Sequence, residues 1–221
     1  MEILSRIHVA LALSELCRGL DGLSSCFNLI PATARPTRER LGLELARVEA
    51  RRAGRLSQNL KVLLDDPPLA PGPVDLGELL RRIIEGMDEE LQLSRVLVSI
   101  EVGRETSTAQ GDPAALTLAL SAMLGALVAI AETASPDRTV KLSIAERDGT
   151  VSLRAHASAL LQESQIARLL DLDWTDRPGG VAAAIGLTAA RRVAQLHGGR
   201  VDAVAHPTGG FVLGLTLPIG T

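Results

Sequence analysis

Four prolines between Asp65 and Asp75, in the stretch DDPPLAPGPVD, constrain this chain more than any other feature. Proline has no backbone N–H and a fixed φ, so no helix continues through the segment and extended backbone is favoured. The chain is therefore divided here. Residues before the prolines have helical periodicity throughout, and those after them alternate between helical and strand-like patterns. The expected organisation is a helical hairpin over residues 1–66, a stiff linker over 67–75 and a second domain over 76–221.

Before the prolines, Leu13, Leu16, Leu20, Leu23, Phe27 and Ile30 recur at spacings of three and four. Those spacings put them on one stripe of a helix about 40 Å long, running from near residue 3 to 30. Pro31 and Pro36 end it, and Thr37 is positioned to cap a second helix that carries Leu41, Leu45, Val48, Leu56, Leu60 and Leu63 to about Leu64. Two helices cannot enclose a core of their own. The economical solution is a homodimer in which two hairpins make a four-helix bundle, with Leu13, Leu16, Leu20, Leu23 and Phe27 in the interface. On the opposite side of the first helix Ile3, Ile7, Leu11, Ser14, Arg18, Asp21 and Ser25 align, apolar at the start and polar beyond. That side is either a partner-docking surface or a packing face.

After the prolines, Asp75 is placed to cap a helix through about Leu93, and RVLVSIEV alternates as a strand. Asp112 and Pro113 read as the N-cap and first residue of a helix to about Glu132. TVKLSIAERDGTVSLRAHA is a hairpin turning at Asp148-Gly149. A short helix near Glu163 to Leu170, a helix ending at His197-Gly198-Gly199 and two closing strands complete the pattern. This order predicts an α+β chain whose second domain is an α/β sandwich, with helices on one face of a mixed sheet.

Composition excludes several functions. A net charge of −3, a pI near 5.8 and 1% aromatic residues leave neither the cationic surface nor the stacking platforms that nucleic acid binding uses. No unbroken apolar run reaches the length of a membrane span, and MEILSRIHVALALSEL lacks a basic leader and a cleavage site. Cys17 and Cys26 lie too far apart along one helix to form a disulfide within it, which fits a reduced, cytoplasmic setting. His8, His156, His197 and His206 show no metal-ligand spacing with the cysteines, so no metal is expected.

The chain resembles the transmitter core of sensor histidine kinases, a dimerising helical hairpin followed by an ATPase-like domain of the Bergerat type. It is also similar in layout to the two-domain histidine phosphotransferases of phosphorelays. SELCRGL, Ser14 to Leu20, matches the family's His-Glu-Leu-Arg-x-Pro-Leu motif at Glu15, Leu16 and Leu20. RLSQNLKVLLDD, PVDLGELLRRII, GDPAAL and HPTGGFVLGLTLP then come in the family's order. The resemblance implies an acceptor histidine at position 14, an ATP-binding cleft and a response-regulator partner.

The residues at those positions depart from the motifs. Ser14 stands at the phospho-acceptor position. The asparagine motif of the first cleft helix aligns with AMLGAL, which puts Ala122 and Ala126 where amides would meet phosphate and Mg²⁺. The Asp-x-Gly-x-Gly turn is aligned with HASAL, giving His156, Ser158 and Leu160. The glycine-rich lid aligns with AAAIGL, leaving Ala182, Ala183 and Ala184 ahead of Gly186 and Leu187. Losing three charge-assisted contacts removes about 4 to 9 kcal/mol, a thousandfold to a millionfold in affinity. No nucleotide or other cofactor is therefore expected, and the alanines favour a helix beginning near Val181 over a flexible lid.

Ser14 lacks an evident base and is a poor nucleophile, whereas a neutral imidazole attacks phosphoryl groups near pH 7. The chain therefore reads as a non-catalytic, cytoplasmic scaffold or regulator. It would bind a response-regulator receiver domain through Ile7, Leu11, Ser14, Arg18 and Asp21, without ATP, nucleic acid or membrane. The alternative is a phosphotransferase with an unrecognised acceptor such as His8. His197 is read as a helix C-terminal residue, His156 as a strand-end histidine, His206 as a loop residue, and Trp174 as either a core plug or an exposed anchor.

Overall fold

The computed structural model describes residues 20, 37–65, 68–102, 108–135, 137–172, 174 and 178–219. Two compact units make up the chain, Met1–Asp66 and Pro67–Thr221.

In the first unit, α1 spans Thr37–Leu64. Thr37 is its first residue rather than its cap, a shift of one position. Charged pairs line the exposed side at helical spacing, with Arg40 Nε 3.8 Å from Glu44 Oε1 and Arg52 Nη1 3.1 Å from Glu49 Oε1. Val48 and Val62 are buried, while Leu41 and Leu45 keep 46% and 47% of their surface exposed. Leu20 is helical and half-buried. Ile7, His8, Leu11, Leu13, Ser14, Leu16, Arg18, Asp21, Leu23 and Phe27 lie outside the described residues.

The second unit opens with a departure from the expected linker. Residues 72–75 form strand β1 (Gly72–Asp75), which pairs antiparallel with β3 (Thr108–Gly111), Pro73 facing Gln110. A two-stranded ribbon tolerates proline because its outer side needs no N–H donor. Asp75 then caps α2 (Leu76–Gly86), its Oδ1 accepting from the Glu78 N–H at 3.0 Å. The helix expected to continue to Leu93 instead stops at Met87, where φ is −103° and ψ 4°. A separate short helix, α3 (Asp88–Ser94), ends at Arg95 in the left-handed region.

The main sheet is built from β2 (Leu97–Val102), β4 (Thr139–Arg147), β5 (Thr150–Ala157), β6 (Arg200–Ala205) and β7 (Phe211–Pro218). These five strands lie in the order β2-β4-β5-β7-β6. Among them only β2 and β4 run parallel, because the chain between them crosses over through β3 and α4 (Pro113–Ala134). The other neighbours are antiparallel, and the β4–β5 hairpin turns at Asp148 and Gly149, both at positive φ. After β5 come the short helix α5 (Glu163–Ala167) and α6 (Gly180–Leu196).

The helices α2, α4 and α6 lie together, α4 packed along α6 and both against the strands. Their common layer holds the core: Phe211, Leu213, Leu215, Leu116, Leu120 and Leu187 are all 1% exposed or less, and Leu153 is 2% exposed. By length and composition α4 would suit a membrane, with a mean hydropathy of 2.2 in its most apolar window, although its sequence is interrupted by Thr117, Ser121 and Gly125. Two thirds of that window is buried inside the domain, the placement of a core helix.

Candidate functional site

The nucleotide position that the resemblance implies is in the layer between the inner face of the sheet and the helices α4 and α6. Successive side chains of a strand point to opposite faces, so the inner face of β5 carries one residue in two. Val151, Leu153, Ala155 and Ala157 are buried, whereas Ser152, Arg154 and His156 are not. Ala159, two residues beyond the strand, is also fully buried. The positions on the inner side here are therefore Ala155, Ala157 and Ala159.

The residues aligned with the Asp-x-Gly-x-Gly turn are not on this inner face. His156 and Ser158 lie on the alternate set, and Leu160 is 75% exposed. The run Val151, Leu153, Ala155, Ala157, Ala159 was the signal in the sequence, since strand alternation continues through it unbroken. Ser158 Oγ hydrogen-bonds Ser135 Oγ and, at 3.1 Å, Thr139 Oγ1, while the Leu160 N–H donates to the Ala134 carbonyl at 2.9 Å. Those bonds sew the end of β5 to the C-terminus of α4.

The helical wall is also apolar. Ala122 and Ala126 are 4% and 3% exposed, and every fully buried residue of α4 and of α6 is apolar or glycine. α6 begins at Gly180, so the expected lid is helix from its first turn. Of the three alanines there, Ala183 and Ala184 are buried but Ala182 is exposed, because helical geometry turns one of three consecutive residues away. Gly179 shows how close the lid helix comes to α4. A Cβ built there would lie 3.0 Å from Ala183 Cβ and 3.1 Å from Ile130 Cγ1, and its φ of +80° suits glycine. Trp174 is 7% exposed, with the Arg168 guanidinium 5.8 Å from its ring centroid, so it is a core plug.

Among the described residues of this domain, polar burial is confined to the ends of the helices and to α3. Asp112 caps α4, its Oδ1 accepting from the Ala115 N–H and its Oδ2 from the Ala70 N–H, each at 2.8 Å. These two donors, the Ala115 bond first, hold its carboxyl below the ordinary carboxylate range against the opposing effect of burial. His197 ends α6 as expected, but it also reaches across to α4. Its Nε2 accepts from the Asp112 N–H at 2.9 Å, and its Nδ1 donates to the Val193 carbonyl at 2.8 Å. Gly111 makes room for this bridge, since a Cβ there would lie 2.6 Å from Leu116 Cδ1 and 2.9 Å from His197 Cδ2. The GDP segment and the histidine of HGG thus brace the frame.

On the outer face His156 Nε2 donates to the Gly209 carbonyl at 3.0 Å, and its ring lies 4.2 Å from that of His206, centroid to centroid. His206 sits in the β6–β7 turn, where its Nδ1 accepts from Thr208. Neither histidine adjoins that inner layer. Among the described residues no group of three histidine, cysteine, aspartate or glutamate side chains is arranged to hold a metal ion.

Comparison with known proteins places this architecture. No protein-family model matches the sequence, and no curated protein matches it. Solved structures do. Full-length ShkA, in complex with AMPPNP, aligns over 97% of this chain and 46% of its own, with 20% identity and a TM-score of 0.65. Histidine kinase ThkA, in complex with the response regulator protein TrrA, aligns over 99% of this chain and 61% of its own, with 13% identity and a TM-score of 0.61. The ATP-binding domain of PrrB from Mycobacterium tuberculosis aligns over 68% of this chain and 98% of its own, with 25% identity and a TM-score of 0.51. The chain spans less than two thirds of the ShkA and ThkA chains. With a helical N-terminal region followed by a mixed α/β sheet domain, it has the fold of a histidine kinase transmitter.

Proposed function

We propose that this protein acts by binding rather than by catalysis, as a histidine-kinase-like scaffold or regulator in two-component signalling. One observation supports the reading: the side chains where the resemblance places the nucleotide are buried alanines. Ala122, Ala126, Ala155, Ala157, Ala159, Ala183 and Ala184 are each 4% exposed or less. A triphosphate placed there would lose its hydration and find neither amide nor carboxylate in return, which costs several kcal/mol per unpaired charged group. The family's frame persists because its caps and bridges, Asp112 and His197 above all, hold the domain together.

The working surface on this reading is the helical hairpin, which pairs with a second copy and presents Ile7, Leu11, Ser14, Arg18 and Asp21 to a receiver domain in the cytoplasm. Exposed Leu41 and Leu45 on α1 are the kind of apolar surface that a second copy would cover. ThkA is a relative in fold whose solved complex contains a response regulator.

The test combines two measurements. Calorimetry with millimolar Mg-ATP gives no heat of binding, and a micromolar isotherm would refute the reading. Radiolabelled phospho-receiver is then incubated with wild type, Ser14→His and His8→Ala. Binding without label on wild type supports the scaffold. Label that disappears in His8→Ala establishes the phosphotransferase instead.

A further inference from the structure

The outer face of the sheet carries an open cleft of about 370 Å³ that has no part in the proposed binding of a receiver domain. Its floor is set by strand register. Lys141 on β4 stands opposite His156 on β5, and Ser143 stands opposite Arg154. Same-face neighbours on paired strands are roughly 5 Å apart and diagonal ones roughly 7 to 8 Å. The four residues therefore form a quadrilateral with its two fixed cations, Lys141 and Arg154, on one diagonal and a hydroxyl and an imidazole on the other. His206, its ring tilted 35° to that of His156 at 4.2 Å, makes one wall.

Three features make this arrangement more than a charged surface. Neither Lys141 nor Arg154 has a hydrogen bond or ion pair from its side chain among the described residues, although each lies within a cluster of polar groups. Two like charges held across one cleft repel each other, and the carboxylate that lines it, Glu101, forms an ion pair with neither, so an anion between them is stabilised by both. The histidines are also oriented by their partners. Gly209 fixes the Nε2–H of His156, and the Thr208 N–H donates to Nδ1 of His206, which leaves the Nε2 of His206 as that ring's remaining donor. Finally, Pro207 and Val212 add apolar surface. The volume falls within the range of small-molecule clefts and is larger than one phosphate group requires.

We propose that this cleft binds the phosphate group of a small phosphomonoester, with Lys141 and Arg154 clamping its oxygens, Ser143 and the Nε2–H of His206 adding hydrogen bonds, and the apolar surface meeting its organic part. Glu101, beside Ser143 across the β2–β4 pair, lies at the edge of the same cleft and opposes the anion.

The test is NMR of the histidine ring protons at constant ionic strength, with glucose 6-phosphate, inorganic phosphate and chloride as titrants. The signals of His156 and His206, identified by His156→Gln and His206→Gln, shift saturably with the ester, more weakly with inorganic phosphate and not with chloride. Lys141→Gln or Arg154→Gln lowers the affinity about tenfold or more, and Glu101→Gln raises it. The buried His197 signal stays in place and verifies that each variant is folded. No saturable shift with either phosphate compound, or unchanged affinity in folded Arg154→Gln, overturns the site. Equal affinity for the inorganic anion overturns the assignment of an organic ester.

Discussion

His197 at the end of α6 accepts a hydrogen bond on Nε2 from the backbone N–H of Asp112 at the start of α4, 85 residues earlier in the chain. The side chain of Asp112 in turn holds Ala70 and Ala115. One buried imidazole and one buried carboxylate thereby join the start of the domain to both of its long helices. Replacing His197 with alanine leaves the Asp112 N–H without its partner and opens a void beside Gly111. The expected loss is about 1 to 3 kcal/mol, read from urea denaturation as a lower midpoint with an unchanged slope.

Asp112 gives the domain a defined acid sensitivity. Its carboxyl is held below the ordinary range in the folded state, chiefly by the Ala115 and Ala70 amides. By linkage, the contribution is fully present above the unfolded carboxylate's pKa of about 4 and is lost as pH falls through the lower folded value. Denaturation midpoints of wild type and Asp112→Asn measured between neutral pH and about pH 3 will differ most at the neutral end. The gap narrows below about pH 4. A constant gap would mean that the carboxylate charge contributes nothing.

The inward facing of Ala155 and the outward facing of His156 predict opposite responses to substitution. Ala155→Asp buries a charge without a partner and costs several kcal/mol, enough to unfold a marginally stable domain. His156→Ala acts on the accessible face and changes stability by about 1 kcal/mol or less. Thermal melts of the two variants distinguish the registers directly, since a shift of one residue reverses the order.

Restoring one family residue is expected to damage the protein rather than revive it. Ala122→Asn places an amide against the sheet with no buried polar partner, for a loss of about 1 to 3 kcal/mol. Mg-ATP does not recover that stability in a thermal shift assay. A rise of several degrees on adding nucleotide would show that the cleft still opens.

Assembly is tested on the first helix. On the proposed bundle, light scattering of the wild type gives a dimer, and Leu20→Asp combined with Phe27→Asp dissociates or unfolds it, because each charge would enter the apolar stripe that the sequence spacing predicts. Leu11→Glu or Arg18→Glu, on the other side, keeps the dimer and weakens receiver-domain binding by about 1 to 3 kcal/mol. A monodisperse wild-type monomer at tens of micromolar excludes the bundle.

Much of this protein was legible in its sequence because local signals there are strong. Asp75 and Asp112 announced their helices by capping, and Asp148-Gly149 announced its hairpin. Those features depend on a few adjacent residues and their backbone preferences, so the chain states them without help from the rest of the fold. Tertiary structure decided what those signals do not carry. That Gly72–Asp75 is a strand depended on a distant partner, β3, whose own four residues have no alternating apolar pattern. The alternation from Val151 to Ala159 signalled that Ala155 and His156 face opposite ways, but strand register decided which set meets the helices, since a slip of one residue exchanges inside for outside. The bridge from His197 to Asp112, and the meeting of Lys141 and Arg154 across one cleft, required packing and pairing between distant segments. Short-range backbone chemistry is written in neighbouring residues, whereas facing, bridging and charge convergence exist only once the sheet has closed against its helices.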